Sequence, residues 1–93
     1  MSGKSELIQA LAGLEREALE AVQGAWSEGD RDAARLLAEA SRVLEGEPGV
    51  ALDYLVLADP ESLEFLEGDV DRAVLLVAGK VGSVRILDNV LLE

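Results

Sequence analysis

The hydrophobic period of this chain changes at its midpoint, and that change most restricts the fold it can adopt. Before residue 46, apolar side chains recur every three or four positions, which is the spacing of one face of a helix. After residue 50 they alternate or form short continuous runs, which is typical of strands. A chain with both patterns buries them most simply by packing helices on one face of a small sheet.

The N-terminal half predicts two helices joined by a short connection. The first spans about residues 5–28, with Ser5 as its N-cap and Gly29 as its end. The second spans about residues 31–45, with Asp30 as its N-cap, and the short connection favours an antiparallel pair. The apolar stripe of the first helix consists of Leu7, Ile8, Leu11, Leu14, Ala18, Leu19, Ala21, Val22, Ala25 and Trp26.

The C-terminal half predicts three strands, over about residues 50–58, 72–79 and 83–91. The first is apolar at both alternating sets of positions, which favours a central strand or one covered on both faces. Asp59 and Pro60 suit the start of a short helical turn that runs to about Leu66. Gly79 and Gly82 bracket a predicted hairpin turn between the last two strands.

The predicted fold class is therefore α+β, in one domain over residues 1–93. Two antiparallel helices pack on a small, mainly antiparallel three-stranded sheet, in the order α-α-β-short α-β-β. Trp26 and Tyr54 are expected to be core or domain-interface aromatic residues rather than ligand platforms.

Composition excludes several classes of function. Eight basic and nineteen acidic residues give a net charge of −11, which opposes binding to nucleic acid or to an anionic membrane. The chain has neither cysteine nor histidine, so it lacks a thiol nucleophile, the usual general base and the commonest metal ligands. No apolar run is long enough to cross a bilayer and no signal segment opens the chain. We expect a cytoplasmic domain with few means of catalysis.

The charged residues of the second half are expected to have structural rather than catalytic roles. Arg85 lies within an apolar strand, so its guanidinium needs a partner, and we expect an ion pair with Asp53 or Asp59. Asp88 and Asn89, near the end of the same strand, favour side-chain-to-backbone hydrogen bonds. A run of acidic residues lacks the spacing of a calcium loop and is expected to be solvated surface. Its members are Asp59, Glu61, Glu64, Glu67, Asp69 and Asp71.

Two ordered segments of the second half carry motifs. The first reads LDYLVLADPESL from Leu52 to Leu63, and the second reads AVLLVA from Ala73, followed by GSVRILDN at residues 82–89. They resemble the D-Y-x-x-x-x-D-P-E-T-L and the closing A-x-x-x-G-x-x-R-L-I-D-N segments of the pantothenate synthetase (pantoate–β-alanine ligase) family. The residues that carry the likeness are Asp53, Tyr54, Asp59, Pro60, Arg85, Asp88 and Asn89.

This resemblance implies the C-terminal domain of an ATP-dependent ligase that condenses pantoate with β-alanine to pantothenate, using magnesium. In the family, that domain closes as a lid over a Rossmann-like nucleotide-binding domain with an H-x-G-H-type motif. This chain has no histidine and no parallel α/β unit, so we expect it to lack that N-terminal domain and to be non-catalytic alone. It is expected to hold no cofactor or metal of its own, and its partner is the missing N-terminal domain.

The first residues resemble the family's M-S-S-R-N loop. That likeness implies contacts from Ser2, Lys4 and Ser5 to ATP phosphates, and a chance match is the alternative. A free-standing interaction or dimerisation module with the same fold is the alternative function. The breadth of the first helix's apolar stripe predicts a two-fold homodimer through that helix.

Overall fold

The strands and helices appear in the predicted order. A computed structural model describes residues 3–46 and 51–93, with Lys4 described by its backbone alone. The strands form one antiparallel sheet in the order β1-β2-β3, so the predicted α+β class is confirmed. The elements are α1 (Lys4–Ser27), α2 (Ala33–Leu44), β1 (Ala51–Ala58), β2 (Ala73–Val81) and β3 (Val84–Leu92).

Both helices pack on one face of the sheet, which we call the inner face. The strands turn alternate side chains toward the helices, and one apolar core forms between the layers. Its buried members include Leu19, Val22 and Trp26 of α1, Leu36 and Ala40 of α2, and Leu57, Leu75, Val77 and Leu92 of the sheet. The stripe of α1 is therefore largely covered within the chain, and a homodimer through that helix stays a prediction. Within the described residues, no helix has the length and apolar character needed to span a bilayer.

The helix ends differ from prediction at both N-termini. Gly3, not Ser5, precedes α1, and its carbonyl accepts hydrogen bonds from Glu6 and Leu7 at 3.1 and 3.2 Å. Asp32, not Asp30, caps α2, because its carboxylate can accept the backbone N–H of the third helical residue, at 3.1 Å.

The end of α1 follows the prediction. Gly29 lies just past the helix with a φ of 104°, a conformation that glycine adopts without strain. Its N–H donates to the carbonyl of Trp26 and that of Asp30 donates to Ala25, both at 3.0 Å. These two bonds form a Schellman motif, which sends the chain back toward α2.

β1 does not have the central position that was one of its two predicted placements. It is an edge strand, and β2 lies at the centre of the sheet. The predicted short helical turn also ends early: residues 60–62 form a turn, and Leu63 adopts a φ of 61°, which stops helix growth. The chain then returns to β1, where Phe65 forms an isolated bridge with Ala58. Apolar side chains on both faces of β1 are therefore compatible with an edge strand.

The hairpin between β2 and β3 is tighter than predicted. Its turn consists of Gly82 and Ser83 alone, with Gly82 at a φ of 59°. Gly79 lies inside β2, where a Cβ atom would be 2.7 Å from the Cδ1 atom of Leu11. Glycine at this position leaves room for the Leu11 side chain, because α1 approaches the sheet closely there.

Candidate functional site

Arg85 and Asp53 form the ion pair that the sequence predicts. The Nη2 atom of Arg85 lies 2.8 Å from Oδ2 of Asp53, across the full width of the sheet from β3 to β1. The guanidinium carbon also lies 5.5 Å from the ring centroid of Tyr54, within the range of a cation–π contact. Three motif residues from two separate segments therefore meet on the face of the sheet that the helices leave uncovered, which we call the outer face.

A β-bulge positions Asp53 for this contact. The register between β1 and β2 shifts between Leu52 and Tyr54, so that Asp53 has no Cα partner on β2. An extra residue of this kind bends a strand and re-aims its side chain. Half of the Arg85 side chain and about a quarter of the Asp53 side chain stay in contact with solvent. The pair therefore links the two edge strands of the sheet without forming an enclosed site.

Asp59 organises the turn that follows β1. Its Oδ1 atom accepts the backbone N–H groups of Glu61 and Ser62 at 2.8 and 3.0 Å. The hydrogen bonds from Ser62 and then Glu61 lower the pKa of the Asp59 carboxyl, because they favour its ionised form. Pro60 occupies the first turn position, where its lack of an N–H costs nothing. Asp59 therefore does not pair with Arg85, and its role in this chain is local.

The loop between β1 and β2 encloses a shallow acidic recess of about 290 Å³. Backbone hydrogen bonds from Ala33 to Gly68 and from Val70 to Arg31, both 2.8 Å, fasten this loop to the start of α2. Across residues 3–46 and 51–93, no three carboxylates converge closely enough to hold a metal ion. The recess is lined by Asp59, Leu66, Glu67, Asp69, Val70, Asp71 and Arg72.

The inner face holds a second ion pair, between α1 and β3. Arg16 Nη2 lies 2.9 Å from Asp88 Oδ2, and the Asp88 Oδ1 atom accepts the backbone N–H of Asn89 at 2.8 Å. The predicted side-chain-to-backbone bond at this position is therefore confirmed, although its main partner, Arg16, was not anticipated. Asn89 itself points to the outer face and is exposed.

Glu15 is the residue that sequence reasoning missed. It is fully buried on α1, and neither of its carboxylate oxygens has a hydrogen-bond partner in the described part of the chain. A signal was present, since Glu15 lies four residues after Leu11 and four before Leu19, in the middle of the apolar stripe. A carboxylate there must be buried if the stripe is.

Burial raises the pKa of the Glu15 carboxyl to about 7. The backbone N–H of Gly79 opposes that rise without reaching hydrogen-bonding geometry, and the negative charge of Asp88 adds to it. The Glu15 carboxyl therefore changes its ionisation state near neutral pH. The ionisation of a fully buried carboxyl with a raised pKa is coupled to the stability of the fold.

Two of the three residues predicted to contact phosphate lie at the N-terminal start of α1. Ser5 is exposed in the first turn, Lys4 begins the helix, and Ser2 and the side chain of Lys4 fall outside what the structure describes. With a rise of about 1.5 Å per residue, Lys4 and Arg16 are roughly 18 Å apart along the helix. The structure thus brings Asp53, Tyr54 and Arg85 together, and keeps Asp59, Asp88 and the start of α1 separate.

Comparison with known proteins gives consistent matches. The family model described as pantoate-beta-alanine ligase matches residues 5–91. The pantothenate synthetase of Acidobacterium capsulatum is 44% identical over 75 residues, which cover 81% of this chain and 25% of that protein. A bifunctional pantoate ligase/cytidylate kinase of Synechococcus sp. is 42% identical over 85 residues, covering 91% of this chain and 16% of that protein.

A solved structure has the same fold. The crystal structure of the pantothenate synthetase of Thermus thermophilus superposes with a TM-score of 0.78 at 28% identity, covering 97% of this chain and 31% of that one. The chain thus spans between a sixth and a third of the length of these similar proteins.

Proposed function

The chain belongs to the pantoate-beta-alanine ligase family, and on that premise we propose that it is the C-terminal, substrate-closing domain of an ATP-dependent ligase. The ligase would condense pantoate with β-alanine to pantothenate in the cytoplasm. The domain would act as a lid on a nucleotide-binding domain that supplies the catalytic residues and holds ATP and magnesium. It would have no activity alone.

The observation that carries this proposal is that the motif residues make structural contacts within the domain. Asp53 and Arg85 neutralise each other, Asp59 accepts backbone N–H groups of its own turn, and Asp88 pairs with Arg16. None of these groups is left as a free acid or base in a pocket with another. A domain whose motif residues maintain its shape is suited to covering a site that other residues build.

We propose further that the start of α1 contributes to ATP binding. The first N–H groups of a helix and its dipole favour an anion, and a lysine adds a positive charge that suits phosphate. Lys4 begins α1 and Ser5 is exposed in its first turn, and Ser2 precedes them in the sequence. In the complete ligase, Lys4→Met should raise the KM for ATP more than it changes kcat, whereas Ser5→Ala should do so more weakly.

Replacement of the homologous region in a relative tests the proposal. We expect the isolated chain to form no pantothenate from pantoate, β-alanine, ATP and magnesium. The Acidobacterium capsulatum synthetase without its homologous region should also be inactive, and a chimera that carries this chain there should recover turnover. The matched pair, chimera and truncated enzyme, differ only in this domain.

Two outcomes would contradict the proposal. Turnover by the isolated chain would make it an enzyme in its own right. A folded chimera, with a normal circular dichroism spectrum and tight ATP binding but no turnover, would show that the chain does not complete the site and would favour an independent interaction module.

A further inference from the structure

Glu15 lies at the boundary between two unequal halves of α1. The helix has 24 residues, whereas α2 has 12 and begins where the chain turns back from the end of α1. α2 therefore runs beside the second half of α1 and ends close to Leu14, since a Cβ atom added at Gly46, just past α2, would lie 4.0 Å from Cδ2 of Leu14. Residues 4–14, which we call the N-terminal segment of α1, extend past the end of α2 and rest on the sheet.

The two halves of α1 also differ in burial. Among the side chains described for residues 5–14, only Leu11 is buried, and it packs against Gly79 of β2. Leu11 is not a member of the core cluster between the layers. The half that follows Glu15 contributes four buried residues to that cluster, Ala18, Leu19, Val22 and Trp26. Local opening begins where few apolar contacts hold an element, so the N-terminal segment is the part of α1 that opens at the lowest free energy.

The N-terminal segment is also a weak helix by itself. Gly3 precedes the helix and provides no side-chain hydrogen bond to its first turn. Gly13 is exposed inside the segment, where glycine lowers the stability of a helix relative to alanine. A helix of this length that leaves its packing surface is only marginally stable in water. Release from the sheet therefore also breaks the backbone hydrogen bonds of the segment.

The carboxyl of Glu15 favours different states of this segment when it is neutral and when it is ionised. It is fully buried between α1 and the sheet, and neither oxygen has a hydrogen-bond partner in the part of the chain that the structure describes. A neutral carboxyl tolerates this environment far better than a carboxylate, whose transfer out of water is costly without a partner. An ionised Glu15 therefore favours an opening that admits water, and the N-terminal segment beside it opens most easily.

Within the described residues, the charged groups around Glu15 supply no partner for its ionised form. Asp88 on β3 repels it, and Arg16, the next residue of α1, is already paired with Asp88 at 2.9 Å. β2 presents the backbone N–H of Gly79, which offsets the effect of burial only in part, and the Lys80 side chain is exposed. The charged side chains of α2 and β1 make ion pairs of their own, Arg35–Asp30, Arg42–Glu39 and Asp53–Arg85. Ionised Glu15 therefore depends on water for its solvation.

We propose that Glu15 is a proton-dependent switch for the N-terminal segment of α1. With the carboxyl neutral, residues 4–14 pack on the sheet. With the carboxyl ionised, they are released and water reaches the charge. The switch itself does not depend on the proposed function. Its consequence for ATP does rest on that function, because the start of α1 is the proposed phosphate contact and would be correctly placed only while the segment is packed.

The direction and size of the effect follow from the pKa of Glu15. This pKa is about 7 in the packed segment and 4.5 in water, so between these values packing holds a proton that release gives up. The equilibrium constant for release should therefore rise with pH, by a factor on the order of 50 between about pH 5 and about pH 8, and change little above that.

Amide hydrogen exchange of this chain, followed by NMR, tests the switch. Protection factors, which are corrected for the pH dependence of exchange in an unstructured chain, should be lower for residues 8–14 than for β2 and insensitive to dilute urea, as local opening requires. In the wild type they should fall about 50-fold between about pH 5 and about pH 8. Glu15→Gln should abolish that fall, whereas Glu17→Gln, the same change at an exposed position of α1, should retain it.

Two further measurements extend the test. Leu11→Ala removes the other buried contact among the described side chains of the segment, and it should lower the protection of residues 8–14 at both pH values. In the chimera of the Acidobacterium capsulatum synthetase that carries this chain, ATP with magnesium should raise the protection of the same residues, as read by mass spectrometry. Lys4→Met should reduce that gain.

Three results would overturn the switch. Protection of residues 8–14 equal to that of β2, with the same urea dependence, would mean that Glu15 acts on the whole fold alone. Local opening that does not change with pH would mean that Glu15 ionises without release of the segment, and a fall retained in Glu15→Gln would assign the effect to another group. If ATP leaves the protection in the chimera unchanged while the isolated chain shows the fall, the switch stands and the proposed phosphate contact fails.

Discussion

The two faces of the sheet use the same three strands for opposite purposes. The inner face is dry and holds the core, together with the buried carboxyl of Glu15. The outer face leaves leucines in water and carries the Asp53–Arg85 pair in contact with solvent. Each face is crossed or bordered by one Arg–Asp pair with nearly the same separation, 2.9 Å for Arg16–Asp88 and 2.8 Å for Arg85–Asp53. The side-chain exposures of the two pairs are also close, 58% and 23% for Arg16–Asp88 against 49% and 28% for Arg85–Asp53. The comparison teaches that burial of apolar side chains and of Glu15, rather than ion pairing, separates the two faces.

Stability should therefore depend almost entirely on the inner face. Leu75 on β2 is fully buried, whereas Leu91, on the strand beside it, is 47% exposed. Leu75→Ala should lower the free energy of unfolding by about 2–5 kcal/mol, because it removes buried apolar area and leaves a cavity. Leu91→Ala should lower it by less than about 1 kcal/mol.

Urea denaturation checks this contrast. The two variants make the same chemical change, so the ratio of their effects measures the difference between the faces. Losses of similar size would mean that the outer face is covered even in the monomer.

The next largest effect is the pH dependence that Glu15 confers. Its pKa rises from 4.5 to about 7 on folding, so between those values the folded state holds a proton that the unfolded state has released. Stability therefore falls as pH rises through that window and is level above it. The ionised form costs up to about 3 kcal/mol at pH above 7.

Neutral substitution of Glu15 isolates this contribution. Glu15→Gln should match the wild type near pH 4.5 and exceed it in urea midpoint above pH 7. Glu17→Gln is the matched control, since it makes the same change at an exposed position of α1. Parallel profiles for wild type and Glu15→Gln would show that the buried carboxyl finds a compensating partner when it ionises.

Sequence patterns predicted the layers of this fold because each layer has its own hydrophobic period. The stripe of α1 and the alternation in β3 are local properties, so the element types could be assigned without tertiary information. The order of strands is not local. An apolar pattern on both sides of β1 fits a central strand, and it also fits an edge strand whose outer side packs against Phe65.

The candidate site was predictable only where local sequence patterns determine it. Arg85 needed a carboxylate because an unpaired charge is costly, and the sequence offered both Asp53 and Asp59; the structure selects Asp53. Glu15 was not predicted, because a single acid in an amphipathic helix is normally assigned to the solvent side. The place of Gly79 inside β2 depends on the close approach of Leu11, which no local pattern records.

The smallest expected effect concerns the outer ion pair. A buried pair that lost Arg85 would cost about 3–5 kcal/mol, but this one is half exposed, and exposed pairs contribute about 0–1 kcal/mol. Arg85→Met should therefore lower the free energy of unfolding by less than about 1 kcal/mol. Arg85→Met also removes the cation–π contact with Tyr54, so the single substitution measures both losses together. A double-mutant cycle with Asp53→Asn isolates the coupling of the ion pair, which should shrink further at high salt since solvent ions reach both groups. A coupling energy well above that range, insensitive to salt, would mean that the outer face is shielded from water and that the contrast between the two faces is smaller than the exposures indicate.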